Sequence, residues 1–308
     1  MKPQLLLILF LLLMQSCIEE IDLQLPEYTS QIGVNCILVA SETPKVFVYE
    51  TLPIEDTSGT RLITEAEVVI SRDDSFEYAF KLSVDSTYYY SDEPVQVNHD
   101  YLLTVSYSDR EYSGITSVQE AVGAVTAKFQ HGNYLDEYGE ELTHMKIDFD
   151  DIEDEDNYYQ MYISSDALTE SEYIYGIPHF SNISDPVLVE ESLLEYEPAG
   201  FIFSDQQFED GSVSIELFGR LDMQNGEPTP TKLVLRVISE EQYQFQRSWI
   251  VHAYNQNNAS HVDVLDDLDP YRVYFNESAV PLYSNISGGV GIFGGYSEST
   301  VNFIQIEP

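Results

Sequence analysis

The segment Asp100-Tyr101-Leu102-Leu103-Thr104-Val105-Ser106-Tyr107 decides the fold class. Tyr101, Leu103, Val105 and Tyr107 recur at every second position, so an extended chain turns all four to one face, the period of a half-buried β-strand. Turn formers bracket it, with Asn98-His99-Asp100 before and Ser108-Asp109-Arg110 after. Toward the N-terminus, Phe76-Glu77-Tyr78-Ala79-Phe80-Lys81-Leu82 also places four large apolar residues on one side, and Val46, Val48, Val68 and Ile70 belong to shorter runs. Thr57-Ser58-Gly59, Arg72-Asp73-Asp74-Ser75 and Ser91-Asp92-Glu93-Pro94 punctuate them. Residues 31–122 are therefore expected to form an immunoglobulin-like or transthyretin-like β-sandwich of about seven strands. Cys36 sits in the buried-strand pattern Val34-Asn35-Cys36-Ile37-Leu38-Val39 and is expected to be an inert core thiol.

A boundary is read near Glu120-Ala121-Val122-Gly123, because a new series of strands opens at Val125-Thr126-Ala127-Lys128-Phe129. Alternation recurs in Met145, Ile147 and Phe149, in Tyr159, Met161 and Ile163, in Val213, Ile215 and Leu217, and in Leu233, Leu235 and Val237. Residues 123–308 are thus read as a second β-rich domain interrupted by one short helix. Ser239-Glu240-Glu241-Gln242 is a capping box with acids in the first helical turn. The helix is expected to run to about Asn255, with Tyr243, Ile250 and Tyr254 on one face and Phe245 and Trp249 beside it. Trp249, the only tryptophan, is expected to anchor the core.

The first 16 residues read as a processing signal. Lys2 precedes the apolar run Leu5 to Met14, about half the length that a spanning helix needs. Met14-Gln15-Ser16-Cys17 resembles the lipobox of bacterial lipoproteins, which makes Cys17 the expected lipid-attachment residue and residues 17–30 an acidic tether. Ile18-Glu19-Glu20-Ile21-Asp22 resembles the acidic export signal of surface-exposed lipoproteins in the Bacteroidota. With Cys17 acylated, no intramolecular disulfide is possible, because Cys36 is the only other cysteine.

Composition narrows the function classes. The 308 residues hold 54 Asp+Glu against 13 Lys+Arg, a formal charge of −41, so no nucleic-acid partner is expected. With 43% hydrophobic residues, 23 Tyr and 15 Phe, the chain has the material for one or two cores. HExxH, GxSxG, CxxC, P-loop and S-x-x-K patterns are all absent. His99, His131, His144, His179, His252 and His261 are scattered, without zinc-pair spacing, and are read as loop or surface residues. The acidic run Asp148 to Asn157 lacks the turn glycine of a calcium loop and, like Asp263, Asp266, Asp267 and Asp269, is read as solvated. Gly289-Val290-Gly291-Ile292-Phe293-Gly294 matches G-x-G-x-x-G, but a nucleotide fingerprint must open a helix, and Tyr296 to Ile306 reads as a strand. These glycines are read as sites where backbone turns or packs closely. No residue is assigned as catalytic, cofactor-binding or metal-ligating, and the chain is expected to be non-enzymatic.

Tyr-Ser-Asn-Ile-Ser-Gly-Gly-Val-Gly-Ile-Phe-Gly-Gly-Tyr-Ser, Tyr283 to Ser297, resembles the C-terminal signature of an uncharacterised Bacteroidota outer-membrane lipoprotein family, domain of unknown function 4249. Cys17 with its acidic stretch, Ala66 to Ile70, Asp100 to Val105, Phe203 to Gly211 and Leu235 through Phe245 agree in order and spacing. Asp269 to Val280 fits the resemblance less well. The resemblance implies an outer-membrane location, lipid-anchored and facing the cell surface. It also implies partnership with a TonB-dependent receptor, and so a non-enzymatic accessory role in nutrient capture or cargo handling, with the ligand unknown. Two alternatives are weighed beside it. One is a surface carbohydrate-binding module or hydrolase that stacks ligands on tyrosines such as Tyr88, Tyr89 and Tyr90, marked by an aromatic strip beside carboxylates in a cleft. The other is a calcium-stabilised structural or adhesive surface protein.

Overall fold

Alternation of apolar and polar residues becomes strands among the described residues. The computed structural model describes residues 28–53, 56, 58–135, 138–139, 141–152, 156–165, 186–189, 200–208, 211–219, 223–224, 227–228, 231–260, 280–301 and 306–307. Cys17 and the leader, His179, His261 and the Asp263–Asp269 cluster lie outside the described residues, as do the side chains of His131, Ile163 and Tyr254.

Among the described residues, the N-terminal part carries β1 (Ile32–Val39), β2 (Lys45–Glu50), β3 (Arg61–Leu62), β4 (Glu67–Arg72), β5 (Phe76–Ala79), β6 (Lys81–Leu82), β7 (Tyr89–Tyr90), β8 (His99–Tyr107) and β9 (Arg110–Val118). The remainder carries β10 (Val125–Leu135), β11 (Glu141–Asp150), β12 (Tyr158–Ser165), β13 (Phe201–Ser204), β14 (Ser212–Gly219), β15 (Met223–Gln224), β16 (Glu227–Pro228), β17 (Thr231–Ile238), β18 (Val290–Val301) and β19 (Ile306–Glu307). Helices α1 (Pro186–Val189) and α2 (Glu240–Ser260) complete the order. The protein is mainly β.

One long sheet runs β13-β12-β17-β18-β1-β2-β7-β6, with β3 beside β2. Two four-stranded sheets, β5-β4-β8-β9 and β14-β11-β10-β19, accompany it. The first core lies between the β1–β2 part of the long sheet and β4–β8: Val34, Leu38 and Val46 meet Ile70, Leu103 and Val105, all fully buried. The second lies between β10, β11 and β14 and the β12–β17 part, where Met145, Ile147 and Leu217 meet Tyr159, Met161 and Leu235. Two sheets face to face in residues 32–118 are compatible with the expected sandwich, although Ile286 and Phe293 from the far end of the sequence also belong to that core.

Local chemistry explains the turns. Ser108 and Asp109 join β8 to β9 with both φ angles positive, at 51° and 59°, and Tyr107 pairs with Arg110, so this is a two-residue primed hairpin turn. The Phe76–Leu82 run does not form one strand: β5 pairs with β4, the chain breaks at Phe80, and β6 pairs with β7 in the long sheet. The apolar face is kept because both sheets close over the same core, which takes Tyr78 as a buried member and Phe76, Phe80 and Leu82 at its margin.

β18 is the element that ties the sequence ends together. Its first half pairs parallel with β1, from Gly33↔Val290 to Val39↔Tyr296, and its second half pairs antiparallel with β17, from Leu233↔Val301 to Ile238↔Tyr296. Alternation then turns Phe293 toward the first core and Gly294 toward α2, where a Cβ would lie 3.0 Å from Gln242 Cβ. At Gly295 a Cβ would meet Val118 Cγ2 at 2.7 Å and the Ser117 carbonyl at 2.8 Å. At Gly291, with φ +127°, it would lie 2.1 Å from the Val34 carbonyl oxygen. The glycines are thus packed closely on both sides, as expected, but within a strand that begins at Val290 and not at the expected Tyr296.

Helix α2 extends past the expected end to Ser260. The Ser239 hydroxyl accepts the Gln242 N–H at 3.3 Å, but the reciprocal half of the box is not made, because the Ser239 N–H donates to the Gly295 carbonyl at 2.8 Å. Trp249 corrects the expected core anchor: it is 51% exposed. Tyr243 is buried with Ile202 and Ile238, Ile250 packs against that cluster, and Trp249 stands one residue, about 100°, around the helix from Ile250. It stacks instead on its own helix, with ring centroids 6.5 Å from Phe245 and 6.2 Å from His252.

Candidate functional site

β2 reads Lys-Val-Phe-Val-Tyr-Glu, apolar on both faces, so alternation alone does not say which side is buried. The small valines fill the interior: Val46 and Val48 are buried, which leaves Lys45, Phe47 and Tyr49 on the outer face of the long sheet. Across the ladder, Tyr49 lies opposite Gly33 and Leu62, Phe47 opposite Asn35, and Lys45 opposite Tyr90. Gly33 makes the floor possible, since a Cβ there would lie 2.3 Å from Tyr49 Cζ, and the tyrosine ring occupies that space. The Asn35 amide donates to Tyr49 Oη at 3.3 Å and accepts the Ile292 N–H at 3.2 Å, which ties this floor to β18.

Above the floor lies a cleft of about 760 Å³ lined by Asn35, Phe47, Tyr49, Glu50, Thr51, Leu52, Pro53, Asp56, Gly59, Thr60, Leu62 and Thr87. Phe47 is 40% exposed and Leu62 38%, and the two line the cleft together. An aromatic strip leads away from it. Phe47 and Tyr88 have ring centroids 5.6 Å apart, and Tyr88 and Tyr90 6.2 Å apart. Lys45 and Lys81 sit over the rings of Tyr88 and Tyr90, at 5.6 Å and 4.8 Å.

Two carboxylates border the cleft, and both are held below the usual carboxylate range. For Glu50 the causes are hydrogen bonds from Ser30 and from Arg61, whose guanidinium lies 2.7 Å away; for Asp56 the cause is Ser58, through its side chain and backbone. Both are therefore ionised acceptors at neutral pH. Arg61 is committed to Glu50, and Lys81 to Asp92 at 2.5 Å.

Of the tyrosines named from sequence, Tyr88 and Tyr90 take part in the strip and Tyr89 does not. Tyr89 points inward, 5% exposed, accepting the Ala66 N–H at 2.9 Å and donating to the Ile63 carbonyl at 3.2 Å. Phe47 and Tyr49 escaped the sequence reading.

The other candidates fall elsewhere. Cys36 is buried, and desolvation pushes its thiol far above the ordinary range, the state of an inert core thiol. His99 pairs with Asp73, His144 stacks on Phe218 at 4.8 Å, and His252 Nδ1 donates to the Val280 carbonyl at 2.8 Å. The acidic run starts within β11, with Asp148 on the exposed side of the sheet and Asp151 partly buried just beyond it. Asp148 accepts from Ser214 at 2.7 Å, and Asp151 accepts from the buried Tyr159 hydroxyl. Nearby, burial and then the charges of Asp151 and Asp156 raise the Asp205 carboxyl, which accepts the Asn157 N–H at 2.7 Å. Among the described residues no three His, Cys, Asp or Glu side chains converge as a metal site, and no helix is long and apolar enough to cross a membrane.

A β-rich chain whose first strand, β1, pairs with β18 in one sheet, with an aromatic cleft on that sheet, is what these features describe. The family model for the domain of unknown function DUF4249 matches residues 18–302, and the chain belongs to this family. No curated protein matches it. The Tyr283–Ser297 stretch has physical roles here: the Asn285 side chain accepts the Phe293 N–H at 2.9 Å and donates to the Phe293 carbonyl at 2.7 Å, while Ser284 Oγ accepts the Gly291 N–H at 3.0 Å.

Proposed function

We propose that this protein is a non-enzymatic, lipid-anchored outer-membrane protein, facing the cell surface, that serves as an accessory subunit of a TonB-dependent transporter. The observation that carries the reading is the lipobox-like Met14-Gln15-Ser16-Cys17, which stands directly before residue 18, where the family match opens. Cleavage before Cys17 and its acylation would leave the family domain attached to the membrane through one residue. Residues 17–27 then act as a tether that, fully extended, reaches at most about 40 Å before Tyr28 and Ser30 bond to Thr51 and Glu50. That length lets the fold stand beside a receptor, and the high negative charge keeps it soluble there.

Mass spectrometry of the N-terminal peptide, together with protease treatment of intact cells, tests the anchor and its side. The expected result is a diacylated Cys17 and loss of the domain on treatment of whole cells. An unmodified N-terminus retaining residues 1–16, or full protection from protease, would refute the reading.

A further inference from the structure

We propose that the cleft over Tyr49, with the Phe47–Tyr88–Tyr90 strip that leads into it, binds a neutral oligosaccharide. This gives a ligand class to the capture role proposed above, but it stands on the cleft alone and needs no receptor for its test.

Three properties of the cleft select this chemistry. First, it joins apolar ring surface to many small hydrogen-bonding groups. Phe47, Tyr49 and Leu62 supply the apolar part, and Asn35 and threonines such as Thr60 and Thr87 surround them. A sugar ring matches both, with a C–H face that packs on an aromatic ring and a rim of hydroxyls. Second, the bordering carboxylates are held ionised, so they are strong acceptors for hydroxyl donors. Third, the charges disfavour ionic ligands of either sign. Arg61 and Lys81 are engaged by Glu50 and Asp92, which leaves an anionic ligand only Lys45, itself over the Tyr88 ring, in a chain of formal charge −41. Glu50 is balanced by Arg61, which leaves a cationic ligand only Asp56. Tyr88 and Tyr90 carry aromatic surface beyond the cleft at centroid spacings of 5.6 Å and 6.2 Å, as tilted and edge-on rings rather than one plane, which gives a chain of sugars more to contact than a single one.

The experiment is isothermal titration of the full lipidated chain, held in a detergent without a sugar head group. The probes are neutral hexasaccharides of β1,4-glucose, β1,3-glucose, α1,4-glucose and α1,6-mannose, with hexagalacturonate and hexalysine as anionic and cationic probes. At least one neutral hexasaccharide is expected to bind with a Kd below about 1 mM, with little change at about 0.5 M salt. Phe47→Ala and, independently, Tyr88→Ala are each expected to weaken that binding at least about tenfold, while Trp249→Ala leaves it unchanged. Absence of binding by every neutral probe would overturn the proposal, as would binding confined to a charged probe, or binding that both cleft variants retain in full. Binding of a hexasaccharide by the purified chain would stand even if no receptor accompanied it, so the two proposals fail separately.

Discussion

Replacing Gly291 by alanine places a methyl group where the Val34 carbonyl already lies. The added Cβ would be 2.1 Å from that oxygen, 2.8 Å from the carbonyl carbon and 2.8 Å from Asn35 Oδ1, all closer than real Cβ contacts come. Relief requires β18 to move away from β1 by about 1 Å, which loosens the Val34↔Gly291 and Asn35↔Ile292 pairs and the Ile292 N–H bond to Asn35. Holding alanine at φ +127° costs about 1–3 kcal/mol, and two weakened hydrogen bonds cost about 1 kcal/mol each. The sum is about 3–5 kcal/mol, a large part of a typical domain's stability. It corresponds to a fall in Tm of roughly 10 °C. Gly123 is the internal control, because nothing lies within 4 Å of a Cβ there and its φ is ordinary. Gly123→Ala should be neutral or stabilise by up to about 1 kcal/mol. Thermal unfolding of both variants, followed by far-ultraviolet circular dichroism, checks the contrast. Equal melting temperatures for Gly291→Ala and the parent would refute the packing role of the motif.

Further predictions follow from single residues. Native protein should show no thiol reactive to a disulfide reagent and denatured protein one, if Cys17 carries the proposed acyl group, because Cys36 is buried; two thiols on denaturation would contradict the lipidation. Tryptophan emission should be red-shifted and quenched by iodide or acrylamide, since Trp249 is half exposed, and Trp249→Ala should change stability by no more than about 0.5 kcal/mol; a blue-shifted, protected emission would restore the core reading. Asp205 holds its proton to higher pH folded than unfolded, so it removes stability as pH rises from about 3.9 through its raised value. Asp205→Asn should therefore gain on the parent over that window and keep the gain at neutral pH, as read by denaturant melts at several pH values; a gain that shrinks as pH rises would refute the assignment. Glu50 has the opposite sign, its contribution present above the ordinary Glu range and lost as pH falls through the lowered value.

Much of the fold is legible in the sequence because burial on one side only stamps a period of two. Tyr101, Leu103 and Val105, Met145, Ile147 and Phe149, and Leu233, Leu235 and Val237 all face a core as their spacing predicts. The β1–β18 pairing joins residues more than 250 positions apart, and such a non-local contact leaves no local pattern; only the close-packed glycines hint at it. Trp249 misleads because helical aromatics are taken for core by composition, whereas helix phase against Tyr243 and Ile250 decides the matter. The candidate cleft stays hidden for a related reason. Lys45 to Tyr49 is apolar on both faces, and which face meets the core is settled by the partner sheet, to which valine fits better than phenylalanine.

Co-purification puts the proposed role as accessory subunit of a TonB-dependent transporter to the test. The tagged, lipidated protein would be isolated from outer membranes in mild detergent and its companions identified and quantified. A TonB-dependent receptor recovered in stoichiometric amount is the predicted result. Recovery of the protein alone across several detergents would contradict it.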